Sequence, residues 1–258
     1  MADEVLLKVE GDVATVTLNR PERLNTLAVD TVDLLCDALS RVAASDARVV
    51  VLAGTGRVFC AGADQAEMVE RTAGDWEPIV RRYLDPIRAI VAMPQPVIAA
   101  LHGDAVGGGF GLALACDIRI AAAGIRMGAP FTRLGLAGCD MSAGWFLPRY
   151  VGLGKATELM LTGRLIEAEE AAALDLVHGV VPAEELQAEV DQWARRFAAG
   201  PPIAHQWTKR AIHRSIGSDM DAEFELEIFA QVQCLQSADH REGITAFREK
   251  RRPEFRGA

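Results

Sequence analysis

The sequence has few of the features that mark a secreted, membrane-embedded or nucleic-acid-binding protein. No positively charged segment followed by an apolar stretch opens it, so we expect no secretory signal. No apolar run approaches the roughly 20 residues that a membrane-spanning helix needs. The formal net charge is −9, whereas nucleic acid attracts basic surfaces. These absences predict a cytoplasmic protein that binds neither membrane nor nucleic acid.

Cysteine and histidine are also too scattered to suggest a cross-linked or metal-binding protein. The five cysteines are odd in number and form no C-x-x-C pair, which is typical of a reduced intracellular chain. The five histidines lack the short spacings of metal ligands. We therefore expect no disulfide framework and no metal site.

What the sequence does contain is a large apolar fraction arranged in alternating strand and helix patterns. Half of the 258 residues are hydrophobic, which is enough for a sizeable core. Alternation of strands with helices predicts the α/β class. The predicted strands are Val13–Leu18, Val49–Leu52, Val97–Leu101 and Ile118–Ala122, and the predicted helices include Asp30–Ala44 and one from Trp76 to Met93, bent at Pro86.

From about Lys155 the pattern becomes mainly helical. One helix is predicted from Pro182 to Ala199, and the Pro201-Pro202 pair marks a boundary. Three more helices are predicted, at 204–215, 221–237 and 241–251. We therefore divide the chain into an α/β core over residues 1–200 and a helical region over residues 201–258.

Two turns built of small residues follow predicted strands and open helices. One spans Cys60 to Asp64, with the sequence CAGAD, and the other spans Val106 to Phe110, with the sequence VGGGF. Free N–H groups at a helix start point outward, and the helix dipole adds positive potential there. If the turns face each other, they offer two N–H donors to one oxygen, and an oxyanion stabilised in this way gains roughly 3–4 kcal/mol per donor.

Two other interpretations compete for these glycines. The first is that small residues only permit tight packing. The second is a dinucleotide-binding turn, but Leu112 stands where the last glycine of the G-x-G-x-x-G pattern belongs, and no acidic residue is evident about 20 positions later. The second interpretation is therefore disfavoured.

The sequence resembles the crotonase, or enoyl-CoA hydratase/isomerase, superfamily over nearly its whole length. The paired small-residue turns, in this order, are the most specific part of the resemblance. The matching segments are Arg20-Pro21 with Leu24-Asn25, Arg57 to Asp64, Pro96 to Ala100, Gly107 to Gly109, Cys116 to Arg119, Leu134 to Leu136, Leu147 to Arg149, Leu161 to Gly163 and Phe247 to Phe255.

The resemblance implies a crotonase-like spiral of β-β-α units, with a C-terminal helical region that builds homotrimers or dimers of trimers. It implies an acyl-CoA substrate, with no cofactor beyond its coenzyme A part, and a thioester oxygen held by the N–H groups of Ala63 and Gly108. The residues implied at the nucleotide end of coenzyme A are Arg23, Leu24, Ala61 and Asp64, with Phe247 and Lys250 offered by a neighbouring subunit.

The chain departs from the hydratase pattern at the two positions where hydratases of the superfamily carry glutamate. The resemblance places these positions at Gly111 and Phe131, and neither side chain can move a proton. Asp140 is the alternative acid/base, because related enzymes carry an aspartate after a similar Gly-Leu segment and one carboxylate can shuttle a proton. The competing interpretation of Asp140 is a helix N-cap, since residues 141–150 could be helical.

Three further pairs of side chains are weaker candidates. Asp104 with His102 and, separately, Asp64 with Glu67 are more simply interpreted as loop and helix caps. Cys139 and Ser142 lack both the G-x-S-x-G context and an evident base. The sequence thus predicts an enoyl-CoA hydratase or isomerase, with two alternatives: a thioester hydrolase or decarboxylase on the same scaffold, and a non-catalytic acyl-CoA-binding protein.

Overall fold

The strands of the molecule form two sheets. The computed structural model describes residues 3–258. The larger sheet has six strands in the order β1-β2-β3-β5-β7-β10, and the smaller has four in the order β4-β6-β8-β9. The strands are β1 (Val5–Glu10), β2 (Val13–Leu18), β3 (Val49–Gly54), β4 (Val58–Cys60), β5 (Val97–Leu101), β6 (Asp104–Val106), β7 (Ile118–Ala122), β8 (Arg126–Gly128), β9 (Ile166–Glu167) and β10 (Gly179–Val181).

Helices follow these strand pairs and make up the C-terminal part of the chain. They are α1 (Val29–Ala43), α2 (Ala73–Tyr83), α3 (Asp85–Ala92), α4 (Gly108–Ala115), α5 (Ala143–Thr162), α6 (Ala168–Ala173), α7 (Leu186–Ala198), α8 (Pro202–Ser215), α9 (Met220–Gln236) and α10 (Ala238–Glu249). In the part of the chain that the structure describes, no helix is both long and apolar enough to cross a membrane.

Successive strand pairs alternate between the two sheets, which is the spiral arrangement that the family resemblance implied. The chain passes from β3 to β4, from β5 to β6 and from β7 to β8, each time leaving the larger sheet for the smaller one. Within the larger sheet β3, β5 and β7 are parallel to one another, as are β4, β6 and β8 within the smaller one. The crotonase-like α/β fold with a helical C-terminal region is therefore confirmed.

The four strands that the sequence predicted all belong to the larger sheet, whose β1 and β10 were missed. The predicted bounds of β2, β5 and β7 match the structure, and β3 continues two residues further, to Gly54. The strands of the smaller sheet were missed because they have only two or three residues, which is too short to show a period of two.

Three helix predictions need correction. The segment from Trp76 to Met93 is two helices, because Pro86 lacks an N–H and is accommodated in the first turn of α3 instead of inside one bent helix. The helix predicted from Pro182 begins only at Leu186, after a short 3₁₀ turn. The helix predicted over residues 141–150 is α5, which begins at Ala143 and is kinked at Gly152.

A buried ion pair ties the C-terminal helices to the sheet. The Lys209 ammonium group on α8 lies 2.8 Å from the Asp117 carboxylate, next to β7. It also donates to the carbonyl oxygens of Ile90 and Gln95, at 2.7 and 2.9 Å. Burial opposes ionisation of Asp117, but hydrogen bonds from His213 and Lys209 outweigh it and lower the pKa of that carboxyl group. The domain boundary at residue 200 remains a prediction.

Helix α4 is packed so tightly against β4 that its second residue, Gly109, has no room for a side chain. All eight of its residues are buried. A Cβ atom added to Gly109 would lie 2.2 Å from the carbonyl oxygen of Cys60, at the end of β4. Glycine at position 109 therefore lets the start of α4 approach the end of β4 closely.

The buried Lys209–Asp117 ion pair should contribute measurably to the free energy of unfolding. Lys209→Met should lower the free energy of unfolding by about 3–5 kcal/mol, because it leaves the Asp117 carboxylate buried without its main counter-charge. The measurement is urea unfolding at a fixed protein concentration. Lys155→Met is the control, since Lys155 forms a half-exposed pair with Glu158 and should cost less than about 1 kcal/mol. Equal losses in the two variants would contradict an anchoring role for Lys209.

The close approach of α4 to β4 makes a second prediction. Gly109→Ala should destabilise the protein by about 1–3 kcal/mol, because its methyl group overlaps the Cys60 backbone. Gly74→Ala, in α2, is the matched control: the nearest atom to its added Cβ is the Thr72 hydroxyl oxygen at 3.8 Å. Thermal unfolding of both variants checks this, and a Gly109→Ala protein as stable as the Gly74→Ala protein would refute the steric argument.

Candidate active site

The two small-residue turns lie against each other at one edge of the smaller sheet. Strands β4 and β6 run parallel, with Cys60 paired to Ala105, so the turns that follow them leave the sheet on the same side. A Cβ atom added to Gly62 would lie 3.0 Å from the carbonyl oxygen of Val106 and 3.2 Å from the amide nitrogen of Gly108. The turns are therefore in direct contact.

Two amide groups in these turns have no protein acceptor. Leu27 donates to the Gly62 carbonyl at 2.8 Å and accepts from the Asp64 N–H at 2.9 Å, so this bridge leaves the N–H of Ala63 unused. Gly108 is the first residue of α4, where an N–H has no acceptor within the helix. Neither N–H donates to any acceptor within residues 3–258.

Both residues border a cavity of about 300 Å³ with mainly apolar walls. Helix α2 supplies one wall, and the segment between β8 and α5 supplies the opposite one. Small polar groups at one end of an apolar cavity are the usual composition of a ligand site. The cavity is lined by Ala63, Met68, Trp76, Ile79, Val80, Tyr83, Gly108, Phe131, Leu136, Asp140 and Met141.

The structure places Asp140 in this cavity, together with Ala63 and Gly108. The side chain is half-buried, and one carboxylate oxygen accepts a hydrogen bond from the Met141 N–H at 2.8 Å. The interpretation of Asp140 as a helix N-cap is wrong. The N-cap of α5 is Ser142, whose φ is 68° and whose side chain makes no capping hydrogen bond.

At the two positions where the resemblance places glutamates of hydratases, this chain has a tightly packed glycine, Gly111, and an aromatic ring, Phe131. A Cβ atom added to Gly111 would lie 2.1 Å from the carbonyl oxygen and 2.9 Å from the Cβ atom of Met141. This approach depends on left-handed backbone at Met141 and Ser142, with φ of 47° and 68°. The Phe131 ring packs against Gly107 and forms part of the cavity wall. Position 111 therefore has no room for a side chain, and position 131 carries an apolar ring that cannot transfer a proton.

Asp64 has a structural role, as the capping interpretation predicted. Its carboxylate accepts from the Ala66 N–H at 3.1 Å, from the Thr26 hydroxyl at 3.2 Å and from the Arg20 guanidinium at 3.2 Å. Burial opposes ionisation, but these hydrogen bonds outweigh it and lower the pKa of Asp64. Glu67 does not complete a capping box, because its carboxylate instead accepts from the N–H of Val29.

The remaining candidates are not part of the cavity. Asp104 accepts hydrogen bonds from the backbone and side chain of Arg126, and the ring of His102 contacts the Gly56 carbonyl oxygen at 3.2 Å. Cys139 is exposed, and the Ser142 hydroxyl is buried with no partner within residues 3–258. In the same range no cluster of three potential ligands could hold a metal ion.

The residues proposed for the nucleotide end of coenzyme A fall into two groups. The loop carrying Arg23 and Leu24 lies against the Cys60–Asp64 turn, because the Ala61 N–H donates to the Leu24 carbonyl at 3.1 Å. Phe247 and Lys250 lie at the end of α10, where the Phe247 side chain is 83% exposed. Neither of these two residues lines the cavity in the single chain.

Sequence reasoning missed both Asn25 and the wall formed by α2. Asn25 is buried, and its side-chain amide donates to the carbonyls of Thr55 and Val58, which fixes the loop beside the first turn. On α2, residues 76, 79, 80 and 83 recur at helical spacing, a signal that could have identified the wall. Burial raises the pKa of the Tyr83 phenol, which is neutral and donates to the Leu27 carbonyl at 2.9 Å.

The chain is similar in sequence to known proteins over nearly its whole length. Residues 8–258 match the family model described as enoyl-CoA hydratase/isomerase. The chain is 38% identical to the 1,2-epoxyphenylacetyl-CoA isomerase of Escherichia coli (strain K12), covering 100% of both chains. It is 35% identical to the short-chain-enoyl-CoA hydratase of Clostridium acetobutylicum, covering 98% of this chain and 97% of that one.

The fold of this chain is also similar to that of a solved enoyl-CoA hydratase. The enoyl-CoA hydratase of Bacillus anthracis superposes with a TM-score of 0.93 at 35% identity, covering 99% of this chain and 100% of that one. Sequence and fold therefore match over nearly the whole length of the molecule. The chain belongs to the enoyl-CoA hydratase/isomerase family and is a hydratase/isomerase-like enzyme that processes acyl-CoA thioesters.

Proposed function

We propose that the enzyme stabilises the enolate of an acyl-CoA thioester with the N–H groups of Ala63 and Gly108. The observation that carries this proposal is that neither amide has an acceptor among the described residues and that both residues border one apolar cavity. An oxygen held between them would accept two hydrogen bonds that strengthen as negative charge develops. The low polarity of the cavity walls strengthens this stabilisation further.

Asp140 is proposed as the single acid/base. Its carboxylate would remove a proton from the carbon next to the thioester carbonyl, and the electron pair would move to the carbonyl oxygen. The same carboxyl group would return the proton at the γ-carbon, so that the double bond shifts position and no other reactant is consumed. Isomerisation is favoured over hydration, because hydration also requires an activated water, and Asp140 is the only carboxylate among the described residues that line the cavity.

The names of two relatives fit this range of reactions, one being an isomerase and the other a hydratase. The alternatives are thioester hydrolysis, which releases free coenzyme A, decarboxylation, which releases carbon dioxide, and binding without turnover, which forms no product. The proposed site needs no cofactor beyond the coenzyme A part of the substrate. Five unpaired cysteines fit a reducing cytoplasm as its location.

Coenzyme A is proposed to lie along the loop of Arg23 and Leu24 and the turn from Ala61 to Asp64, which are in contact. Phe247 and Lys250 would reach the nucleotide end from a neighbouring subunit.

A homotrimer, or a dimer of trimers, is proposed because α9 exposes an apolar surface that a single chain leaves uncovered. This surface consists of Phe224, Ile228, Phe229, Val232 and Leu235.

The role of Asp140 is tested by proton exchange. Asp140→Asn should lower the rate at which an enoyl-CoA exchanges its α-proton, or moves its double bond, in heavy water by about 10²- to 10⁴-fold. Binding of the same thioester should change little, since the amide has nearly the shape of the carboxylate. Deuterium incorporation followed by mass spectrometry gives the rate, and calorimetry gives the affinity.

The control for this experiment is Asp104→Asn, because Asp104 is tied to Arg126 and does not line the cavity. Its exchange rate should stay within about threefold of the wild type, less than the loss that removing a general acid/base causes. Exchange that survives undiminished in Asp140→Asn would rule out the assigned role. Release of free coenzyme A or carbon dioxide by the wild type, without exchange, would favour the hydrolase or decarboxylase instead.

The proposed assembly makes a separate prediction. Ile228→Asp should reduce the mass in solution from about three or six chains to one, because a carboxylate would be buried without a partner in the subunit interface. Light scattering at several protein concentrations measures this. Val9→Asp is the control: Val9 is similarly exposed but lies on β1, and its variant should keep the wild-type mass. A monomeric wild type would refute the assembly.

A further inference from the structure

The cavity beside the two free amides is shaped by three aromatic side chains. Trp76 and Tyr83 come from α2, and Phe131 comes from the opposite wall. The cavity is also lined by four aliphatic or thioether side chains, those of Met68, Ile79, Val80 and Met141. The site therefore presents flat apolar surfaces to whatever follows the thioester carbonyl.

Each ring is held in place by contacts outside the cavity. The Arg71 guanidinium lies 4.7 Å from the centre of the Trp76 ring, and the Tyr83 hydroxyl donates to the Leu27 carbonyl at 2.9 Å. Phe131 belongs to a 3₁₀ helix that begins at Pro130, and its ring packs on Gly107. A ligand therefore meets a preformed shape and loses little affinity to ordering of the walls.

The size of the cavity favours a large acyl group. An apolar protein cavity of roughly 150 Å³ is enough to bind benzene. This cavity has about 300 Å³, part of which the carbonyl region of a thioester would occupy. A short acyl group such as acetyl would leave most of the apolar wall uncovered, whereas a ring would cover it.

The charge of the cavity favours a neutral acyl group. Among the described residues that line it, Asp140 and Tyr83 are the only ones with a titratable side chain, and none carries a positive charge. A carboxylate on the acyl group would be desolvated without a counter-ion and would face the Asp140 carboxylate. The site thus disfavours dicarboxylic acyl groups.

We propose that the enzyme prefers neutral aryl-bearing acyl-CoA thioesters, with the ring held between Trp76, Tyr83 and Phe131. The preference rests on the proposed function, since it assumes that the thioester carbonyl lies at Ala63 and Gly108. Aromatic pairs add to the affinity beyond the area that they bury, so a ring should bind more tightly than a flexible chain with the same number of carbon atoms.

The test is calorimetric binding of four saturated acyl-CoA thioesters that undergo no turnover. Phenylacetyl-CoA should bind at least about tenfold more tightly than acetyl-CoA. It should also bind more tightly than octanoyl-CoA, which has the same number of acyl carbon atoms. Glutaryl-CoA should bind no more tightly than acetyl-CoA, because its distal carboxylate has no cationic partner in the cavity.

A matched pair of tryptophan variants tests the assignment of the ring site. Trp76→Ala should weaken phenylacetyl-CoA binding by about tenfold and acetyl-CoA binding by less than about twofold. Trp145→Ala is the control, since Trp145 is also a helical tryptophan covered by an arginine, Arg149, at 3.5 Å but does not line the cavity. It should leave both affinities unchanged.

The outcomes separate this inference from the proposed function. Equal affinities for the four thioesters, tighter binding of octanoyl-CoA than of phenylacetyl-CoA, or equal losses for both ligands in Trp76→Ala would overturn the aryl preference. Each of these results leaves thioester binding at the free amides intact. Failure of the wild type to bind any of the four thioesters would overturn the proposed function as well.

Discussion

The candidate site depends on the close contact between the start of α4 and the end of β4. Gly109 lies so near the Cys60 carbonyl that a side chain there would overlap the backbone. This contact brings the Gly62 turn against the Gly108 amide, so that two free N–H groups from segments about 45 residues apart border one cavity. Any structure that kept these turns apart would have two ordinary helix starts and no shared donor site.

Buried charges hold the opposite end of α4. Arg119 is almost fully buried, and its guanidinium donates to the carbonyls of Cys116 and Leu176, at 2.5 and 2.6 Å. A positive charge at the C-terminus of a helix is favourable because carbonyl groups there lack partners. Beside it, Asp117 pairs with Lys209 and so joins α4, the sheet and α8. The carbonyl groups at the C-terminus of α4 therefore have hydrogen-bond partners within the protein. The Gly108 N–H at its N-terminus has no acceptor among the described residues and can bind a ligand.

Thioester binding and proton transfer are separable in this architecture. The amides belong to backbone that the fold positions, so they do not depend on which side chains line the cavity. The proton-transferring group is a side chain on the segment between β8 and α5, where the backbone conformation differs from helix. Left-handed residues at 141 and 142 bring the Met141 backbone over Gly111 and leave Asp140 facing the cavity. One scaffold can therefore keep its electrostatic stabilisation while the acid/base changes.

Local patterns in the sequence were enough to predict the α/β class, four strands of the larger sheet and the two turns, because strands such as Val97–Leu101 and glycine-rich helix starts carry strong local signals. The family resemblance added Ala63, Gly108 and Asp140 as candidate site residues. The three-dimensional contacts were needed to show that these three residues line one cavity, that the N-cap position of α5 is Ser142 and not Asp140, and that α2 contributes two of the cavity's aromatic side chains. The reason is physical: the short strands of the smaller sheet, the break at Pro86 and the left-handed turn at Met141 are stabilised by contacts between distant segments, which no local pattern of residues records.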